Sequence, residues 1–376
     1  MWKFVLGNLN GEAIGEITNA TTRTLSIGLN RVSTASCIIR ADNPLAISLF
    51  SGDRLLKVYE NNTLRFHGLV VSSELTGSGT ETPTIQINAA DPGWRLSKRL
   101  LGLSKGGTAY GPYDKAKIAR LFIAELNSSL TLFNPHTGIK LLPESSYVGG
   151  SGSYIAGPYR PALTCINDLA HTITGFDWYI APLEGKETTT FSNAGGTWTT
   201  PLIGQFEATN AFGTSKGTVF EYGYGQKNVR TISYIRDLND LVNRAYHLPN
   251  DMETESVLSF YDGGSEVYRG PSEATADAFG LTNTALRESW LQEVIRVKKN
   301  PRYVVTMTLD IDDGTGRVPQ LGTDYWLGDL VTARSYLANN KLFSGQVRVY
   351  GVEIAIAESG TATIAPVFLD EEGTAL

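Results

Sequence analysis

Apolar and polar positions alternate through much of the N-terminal part of the chain. Trp2, Phe4 and Leu6 alternate up to a turn at Asn8 to Gly11, and Ile14 and Ile17 lie on the return. Leu25, Ile27 and Leu29 alternate with Thr24, Ser26, Gly28 and Asn30, as a half-buried strand requires. Cys37 to Ile39 form another short run, closed by Asp42-Asn43-Pro44. Thr84 to Ala89 again have period two and stop at Asp91-Pro92-Gly93-Trp94. Between these runs lies Ser51 to Leu75, a β-hairpin written in turn chemistry: Gly52-Asp53, apolar Leu55, Leu56, Val58 and Tyr59, a polar turn at Glu60-Asn61-Asn62, then Phe66, Gly68 and an alternating strand.

The same phrase returns near the C-terminus. Gly328-Asp329 leads into Leu330 and Val331, a polar turn passes through Ala338-Asn339-Asn340, and Phe343 and Gly345 stand where Phe66 and Gly68 stood. Each copy continues to a Gly/Thr turn, Gly77 to Thr84 or Gly360 to Thr363, and a last apolar strand. Two copies of one β unit at opposite ends of a chain predict a duplicated barrel or sandwich, with Gly52, Asp53, Gly68, Gly328, Asp329 and Gly345 as the turns that define the unit. Gly52 and Gly328 are expected to need backbone angles that other residues resist.

Between the copies the texture changes. Gly102 to Tyr113 reads as loop, and Asp114 as the N-cap of a helix through Leu126 with Ile118, Leu121, Phe122 and Leu126 on one face. Asn127 to Tyr159 is turn-rich, and Gly149 to Ser153 reads as a mobile loop. A second helix is predicted from Pro161 through Ile173 to Gly175, followed by the alternation Phe176, Trp178, Ile180. From Thr218 the β pattern resumes with Phe220, Tyr222 and Tyr224, then a strand around Leu241 to Leu248 and a helix over 284–297 carrying Leu286, Trp290 and Val294. Val305, Met307, Leu309 and Ile311 alternate most cleanly of all. The expected fold class is mainly β with an α+β insertion: a first β domain over 1–103, a smaller α+β module over 104–216, and a second β domain over 217–376.

Length and composition agree with this. A chain of 376 residues is long for one core, and 41% apolar residues suffice for packed interiors. The 39 glycines favour strands and turns over long helices. A net charge of −6 argues against non-specific adhesion to nucleic acid or an anionic membrane. Cys37 and Cys165, the only cysteines, exclude a disulfide scaffold or a cysteine zinc site and read as buried small residues. The N-terminus is not a signal peptide and no apolar run spans a bilayer, so a soluble chain made in a reducing cytoplasm is expected, with no stable membrane insertion.

Catalytic chemistry is hard to find. His67, His136, His171 and His247 form no HxxxH or HExxH pair, and no GxSxG, P-loop or dinucleotide fingerprint occurs in the right context. Asp310 to Gly316 resembles the start of a calcium loop, but Gly314 occupies a ligand position and no glutamate closes it, so a hairpin turn is the better reading. Asp177, Glu353 and Glu358 could be drafted as paired carboxylates, yet nothing selects a pair. Tyr110, Tyr113, Tyr154, Tyr159 and Trp198 sit in Gly-rich stretches and could stack on sugars, which leaves a carbohydrate-binding adhesin as the alternative function. The sequons at Asn19, Asn61 and Asn127 matter only in a secreted chain. No enzyme activity, catalytic residue, metal or cofactor is expected.

The layout resembles minor tail proteins of tailed phages, of the tail-tip or baseplate hub type found in siphophages of actinobacteria. The resemblance is carried by GEAIGEITNATTRTLSIGLN, STASCIIRADNP, SGDRLLKVYENNTLRFHGLVVSSE, INAADPGWRLSKRLL, LAHTITGFDWYI and DYWLGDLVTARS, in that order. It is best over the first hundred and last fifty residues; about 105–159 match nothing comparable. It implies two tube-type β-barrel domains per chain and a homotrimer whose six domains continue a hexameric tail tube into a three-fold tip. The implied partners are the tail tube or distal tail protein, further tip proteins and the tape measure protein, with genomic DNA passing through unbound, in the virion.

Overall fold

The alternating segments assemble into one large sheet. In the computed structural model the described residues are 1–50, 53–78, 82–101, 108–128, 136–156, 159–171, 175–193, 196–223, 227–237, 241–247, 258–262, 271–275, 284–299, 302–310, 317–337 and 340–369. Among them thirteen strands form a sheet that runs from Val229–Asp237 through Arg302–Leu309, Ala362–Leu369, Asn340–Ala357, Ala20–Gly28, Thr34–Arg40, Thr84–Ala90, Thr63–Thr76, Leu55–Glu60 and Trp2–Gly7 to Ala13–Glu16. Ser215–Tyr222 joins it through Leu330–Leu337, which pairs with Asn340–Ala357.

This order contains one pattern twice. Ala20–Gly28, Thr34–Arg40, Thr84–Ala90, Thr63–Thr76 and Leu55–Glu60 lie side by side, all antiparallel. Val229–Asp237, Arg302–Leu309, Ala362–Leu369, Asn340–Ala357 and Leu330–Leu337 do the same, in the same order in space and along the chain. The registers correspond as well. Ser26 faces Thr34 as Ile235 faces Val304; Thr34 faces Ala90 as Val304 faces Leu369; Ala90 faces Leu69 as Leu369 faces Arg348. Two bulges recur at matching places, Ala20/Thr22 with Val229/Thr231 and Val70/Ser72 with Val349/Gly351; the hairpin bulges Val58/Tyr59 and Ser335/Tyr336 match only when counted from the turn, because Leu330–Leu337 is longer than Leu55–Glu60. Bulges are costly local departures from a ladder and are not expected to coincide by chance. The correspondence ends at the sixth strand, because Trp2–Gly7 is antiparallel to Leu55–Glu60 whereas Ser215–Tyr222 is parallel to Leu330–Leu337. Among the described residues no strand pairing closes either unit into a barrel.

One core serves both units: Phe4, Leu25, Ile27 and Ile87 belong to the same apolar cluster as Met307, Val352, Ile354 and Phe368. A second core, with Ile118, Phe122, Cys165, Ile166, Trp178 and Phe206, lies where the helices Lys115–Ser128 and Ala162–Ala170 pack against a small sheet of Ile139–Leu141, Gly204–Thr209 and Asp177–Pro182. A third, smaller core forms where the helix Thr284–Lys298 covers Arg244–His247 and Leu258–Tyr261, with Leu291 and Ile295 against Val242 and Ala245.

Two loop expectations are corrected. Thr108–Asp114 and Ser151–Ala156 are paired antiparallel strands, where Gly102 to Tyr113 reads as loop and Gly149 to Ser153 as mobile. The glycines there allow strands to approach, since a Cβ on Gly111 would lie 2.8 Å from the Gly152 carbonyl oxygen. The carboxylate of Asp114 fixes the corner: it accepts the Ala116 N–H at 2.9 Å, capping the helix, and the Gly149 N–H at 2.7 Å.

Candidate assembly interface

The hairpin turns show what the repeated sequence phrase encodes. Asn61 and Asn62 both have positive φ, 46° and 67°, as a two-residue turn matched to strand twist demands. Gly328 has φ +85° and sits so close to Phe212 that a Cβ would lie 2.5 Å from its carbonyl carbon. Next to it Asp329 is buried and accepts N–H groups from Thr214 at 2.7 Å and Trp326 at 2.8 Å. Asp53 is exposed, so the two aspartates do not share an environment, and Gly52 lies outside the described residues. Gly68 faces Leu56 and has no room for a side chain, because a Cβ would stand 2.2 Å from the Ala90 carbonyl oxygen. Gly345 lies opposite Ala333, nearer the turn than the ladder place of Gly68, which Val347 opposite Val331 occupies in the second unit.

The two units meet along the distal half of Asn340–Ala357. Its residues pair antiparallel with Ala20–Gly28: Gly351 with Gly28, Val352 with Ile27, Glu353 with Ser26, Ile354 with Leu25, and so on to Ala357 with Thr22. Val352, Ile354 and Ile356 enter the shared core on one face of this joint. At its mouth the facing glycines leave a trough filled by the guanidinium of Arg31, whose Nη2 donates to the Ile27 carbonyl at 2.9 Å.

A polar pin ties both units to the module between them. The carboxylate of Asp177 forms an ion pair with Arg348 and accepts from Asn30 Nδ2 and the Phe212 N–H, each at 3.3 Å. Asn30, held at φ 55°, also accepts the Trp178 N–H at 2.8 Å and donates its own N–H to the Trp178 carbonyl at 2.8 Å. Arg348 reaches onward to the carbonyls of Gly328 at 3.2 Å and Phe212 at 3.1 Å. Asp177, a candidate acid by sequence, is therefore a buried structural anion. The signal available was a lone aspartate beside a tryptophan in an otherwise apolar strand.

A second contact docks the inserted module on the first hairpin. Lys57 Nζ donates to the Glu184 carbonyl at 2.7 Å, and the Tyr59 hydroxyl to the Glu184 carboxylate at 2.9 Å. The buried His67 lies 2.6 Å from the Leu183 carbonyl through Nδ1, which must therefore carry the proton. Burial pushes its pKa down to about 4, against the opposing pull of that carbonyl. Burial, helped by the Arg95 charge, likewise lowers His136 to about 4. His171 Nδ1 donates to the Asn167 carbonyl at 2.8 Å, at its own helix end, and His247 is buried at the end of the strand Arg244–His247.

The remaining chemical candidates disperse. Glu353 and Glu358 are exposed, whereas Asp177 is buried. Tyr110 and Tyr154 pack on Phe122 inside the second core, while Tyr113 and Tyr159 are exposed. The side chain of Trp198 and the loop after Asp310 lie outside the described residues. Among the described residues no group of three or more His, Cys, Asp or Glu is placed to hold a metal, and no helix is long and apolar enough to cross a membrane. A surface groove of about 490 Å³ is lined by Val71, Asn88, Trp94 and Leu163, with one aromatic ring and no acid.

The whole-chain architecture has counterparts among solved structures. A 43 kDa tail protein of prophage MuSo2 from Shewanella oneidensis is similar with a TM-score of 0.59 at 12% identity, over 99% of this chain and 99% of that one. The fold is that of prophage tail proteins. A tail protein from Neisseria meningitidis is similar at a TM-score of 0.56 and 10% identity, over 98% and 96% of the two chains. Prophage tail protein gp18 from Listeria monocytogenes follows at 0.50 and 10%, over 99% and 95%. No protein-family model and no curated protein matches the sequence. At such identities the backbone plan is shared while its residues are not, so the likeness speaks to fold alone.

Proposed function

We propose that this chain is a structural component of a phage tail, the hub of the tail tip or baseplate. In this role three copies adapt a six-fold tube to a three-fold tip and form part of the passage for DNA. The observation that carries the reading is the register-for-register repetition of a five-strand unit within one chain. A trimer of such chains presents six equivalent units, which is what a passage from six-fold to three-fold symmetry requires. A net charge of −6 suits a wall that DNA must slide past. Supporting contacts, and not chemistry, occupy the polar residues of the joints, so the reading assigns no catalytic role. Two tube-type barrel domains, over 1–103 and 217–376, with the module 104–216 between them, remain its domain scheme. The partners are the tail tube or distal tail protein, further tip proteins and the tape measure protein; the location is the tail tip of the virion.

Light scattering of the purified chain over a range of concentrations tests it. The expected species has three times the 40.8 kDa of one chain. A chain that stays monomeric both alone and when mixed with tail tube protein overturns the hub.

A further inference from the structure

The internal joint between the two units has an unused counterpart. In the second unit the distal half of Asn340–Ala357 is paired on both sides, with Ala362–Leu369 and with Ala20–Gly28 of the first unit. In the first unit the equivalent stretch is the distal half of Thr63–Thr76, which pairs with Thr84–Ala90 and, among the described strands, with nothing on its other side. The strand equivalent to Ala20–Gly28 is Val229–Asp237, which ends the sheet and, among the described strands, pairs only with Arg302–Leu309. The chain therefore carries both halves of a second joint, at opposite ends of its repeat.

We propose that copies of this chain join by adding the Thr63–Thr76 edge of one to the Val229–Asp237 edge of the next, in the antiparallel register of the internal joint. This rests on the hub reading and specifies how its copies meet. The register follows from the matched bulges. Val70/Ser72 corresponds to Val349/Gly351, so Glu74 stands for Glu353 and Leu75 for Ile354. Ala20/Thr22 corresponds to Val229/Thr231, so Ile235 stands for Ser26 and Tyr234 for Leu25. Glu353 faces Ser26 within the chain, and Glu74 accordingly faces Ile235 of the next copy, with Leu75 opposite Tyr234.

Exposure of one residue points the same way. Ile354, inside the internal joint, is 2% exposed, whereas its counterpart Leu75 is 58% exposed. An apolar side chain is kept at both places, and only one of them is covered. Neither edge segment carries a lysine or a proline: the one charge in Ser72 to Thr76 is Glu74, and Thr231 to Ile235 contains none. Where the internal joint buries Val352, Ile354 and Ile356, the outer one offers Ser73, Leu75 and Gly77. The joint between copies is thus the weaker of the two, as suits a piece that is made singly and assembled later. Each copy donates one edge and receives the other, so the contact is head-to-tail and closes into a ring when the rotation allows.

Singly substituted chains test the register. One batch carries Glu74→Cys and a second Ile235→Cys, both at exposed positions; the native Cys37 and Cys165 are buried. Mixed and mildly oxidised, they are expected to give a disulfide-linked dimer containing one of each, and neither batch alone should do so. Directly facing residues lie within disulfide reach, whereas a shift of two residues puts them about 7–8 Å apart. A mixture of Glu74→Cys with Ser233→Cys should therefore stay unlinked. Light scattering on the same samples separates the outcomes. An oligomer without the Glu74–Ile235 link, or one that links equally well at Ser233, overturns the proposed joint and leaves the hub standing. Absence of any oligomer, both alone and after addition of tail tube protein, overturns both.

Discussion

Replacing Arg348 with Met should be among the most damaging single changes in the molecule. The Arg348 side chain is 15% exposed and that of Asp177 is 9% exposed, so solvent does little to screen the anion left behind. Removing one partner of a buried ion pair costs about 3–5 kcal/mol, and the remaining donors from Asn30 and Phe212 place this case near the lower end, about 3 kcal/mol. The carbonyls of Gly328 and Phe212 also lose a donor, which adds about 1 kcal/mol. Arg348→Met is thus expected to destabilise by about 4 kcal/mol. Asp177→Asn should cost about 2 kcal/mol, because Arg348 keeps both carbonyls. The double variant carries no stranded charge and should cost roughly 2–3 kcal/mol less than the sum of the singles. Urea unfolding followed by fluorescence, to which Trp178 beside the pin contributes, and by circular dichroism gives all three values, provided the two probes coincide. Additivity within about 0.5 kcal/mol would show that the pin does not couple the units and would refute the reasoning.

Three further outcomes follow from the geometry. Gly328→Ala and Gly360→Ala change residues with the same φ of +85°, but only Gly328 meets backbone; Gly360 should cost about 1–2 kcal/mol and Gly328 at least twice that, and equal melting shifts would exclude a packing contribution from Phe212. Because folded His67 has its pKa lowered, the unfolded chain binds the extra proton: its contribution is present above the ordinary histidine value, near 6.5, and is lost as pH falls from there towards about 4. Thermal melts of His67→Gln between those pH values should show a shallower slope than the parent, and parallel slopes would assign the acid sensitivity elsewhere. Gly68→Ala should loosen the first hairpin from Thr84–Ala90, seen as faster amide exchange on both strands, since its Cβ would strike the Ala90 carbonyl.

Much of the fold was legible because strands and two-residue turns write themselves into residue type. Leu25 and Ile27, or Val305, Met307 and Leu309, alternate because one face of each strand is buried. Asn61-Asn62 supplies the positive φ that only a few residues tolerate. The strand pair Thr108–Asp114 and Ser151–Ala156 was not legible, because glycines that admit a neighbouring strand look like glycines that loosen a loop. Nor was the difference between Asp53 and Asp329 visible, since the partners of Asp329 come from Thr214 and Trp326, one of them far along the chain. The repeated Gly-Asp turn suggested the duplication, but its detail lies in bulges and registers, which are pairing geometry and prefer no particular side chain. The pin at Asp177 assembles residues from four separate stretches, around Asn30, Asp177, Phe212 and Arg348, so its meaning appears only once they meet.

The joint between Ala20–Gly28 and Asn340–Ala357 also sets a timetable for synthesis. The first unit can pair all five of its strands once Ala90 has been made, but the outer side of Ala20–Gly28 must wait for residues 351–357. With translation at about 5–20 residues per second, that edge of the paired unit stays open on the ribosome for roughly 13–53 seconds. During that time neighbouring nascent chains on one messenger can offer the same strand to each other. A slow stretch of translation before residue 351 would lengthen the exposure, and a trapped chaperone at that edge would shorten it in effect.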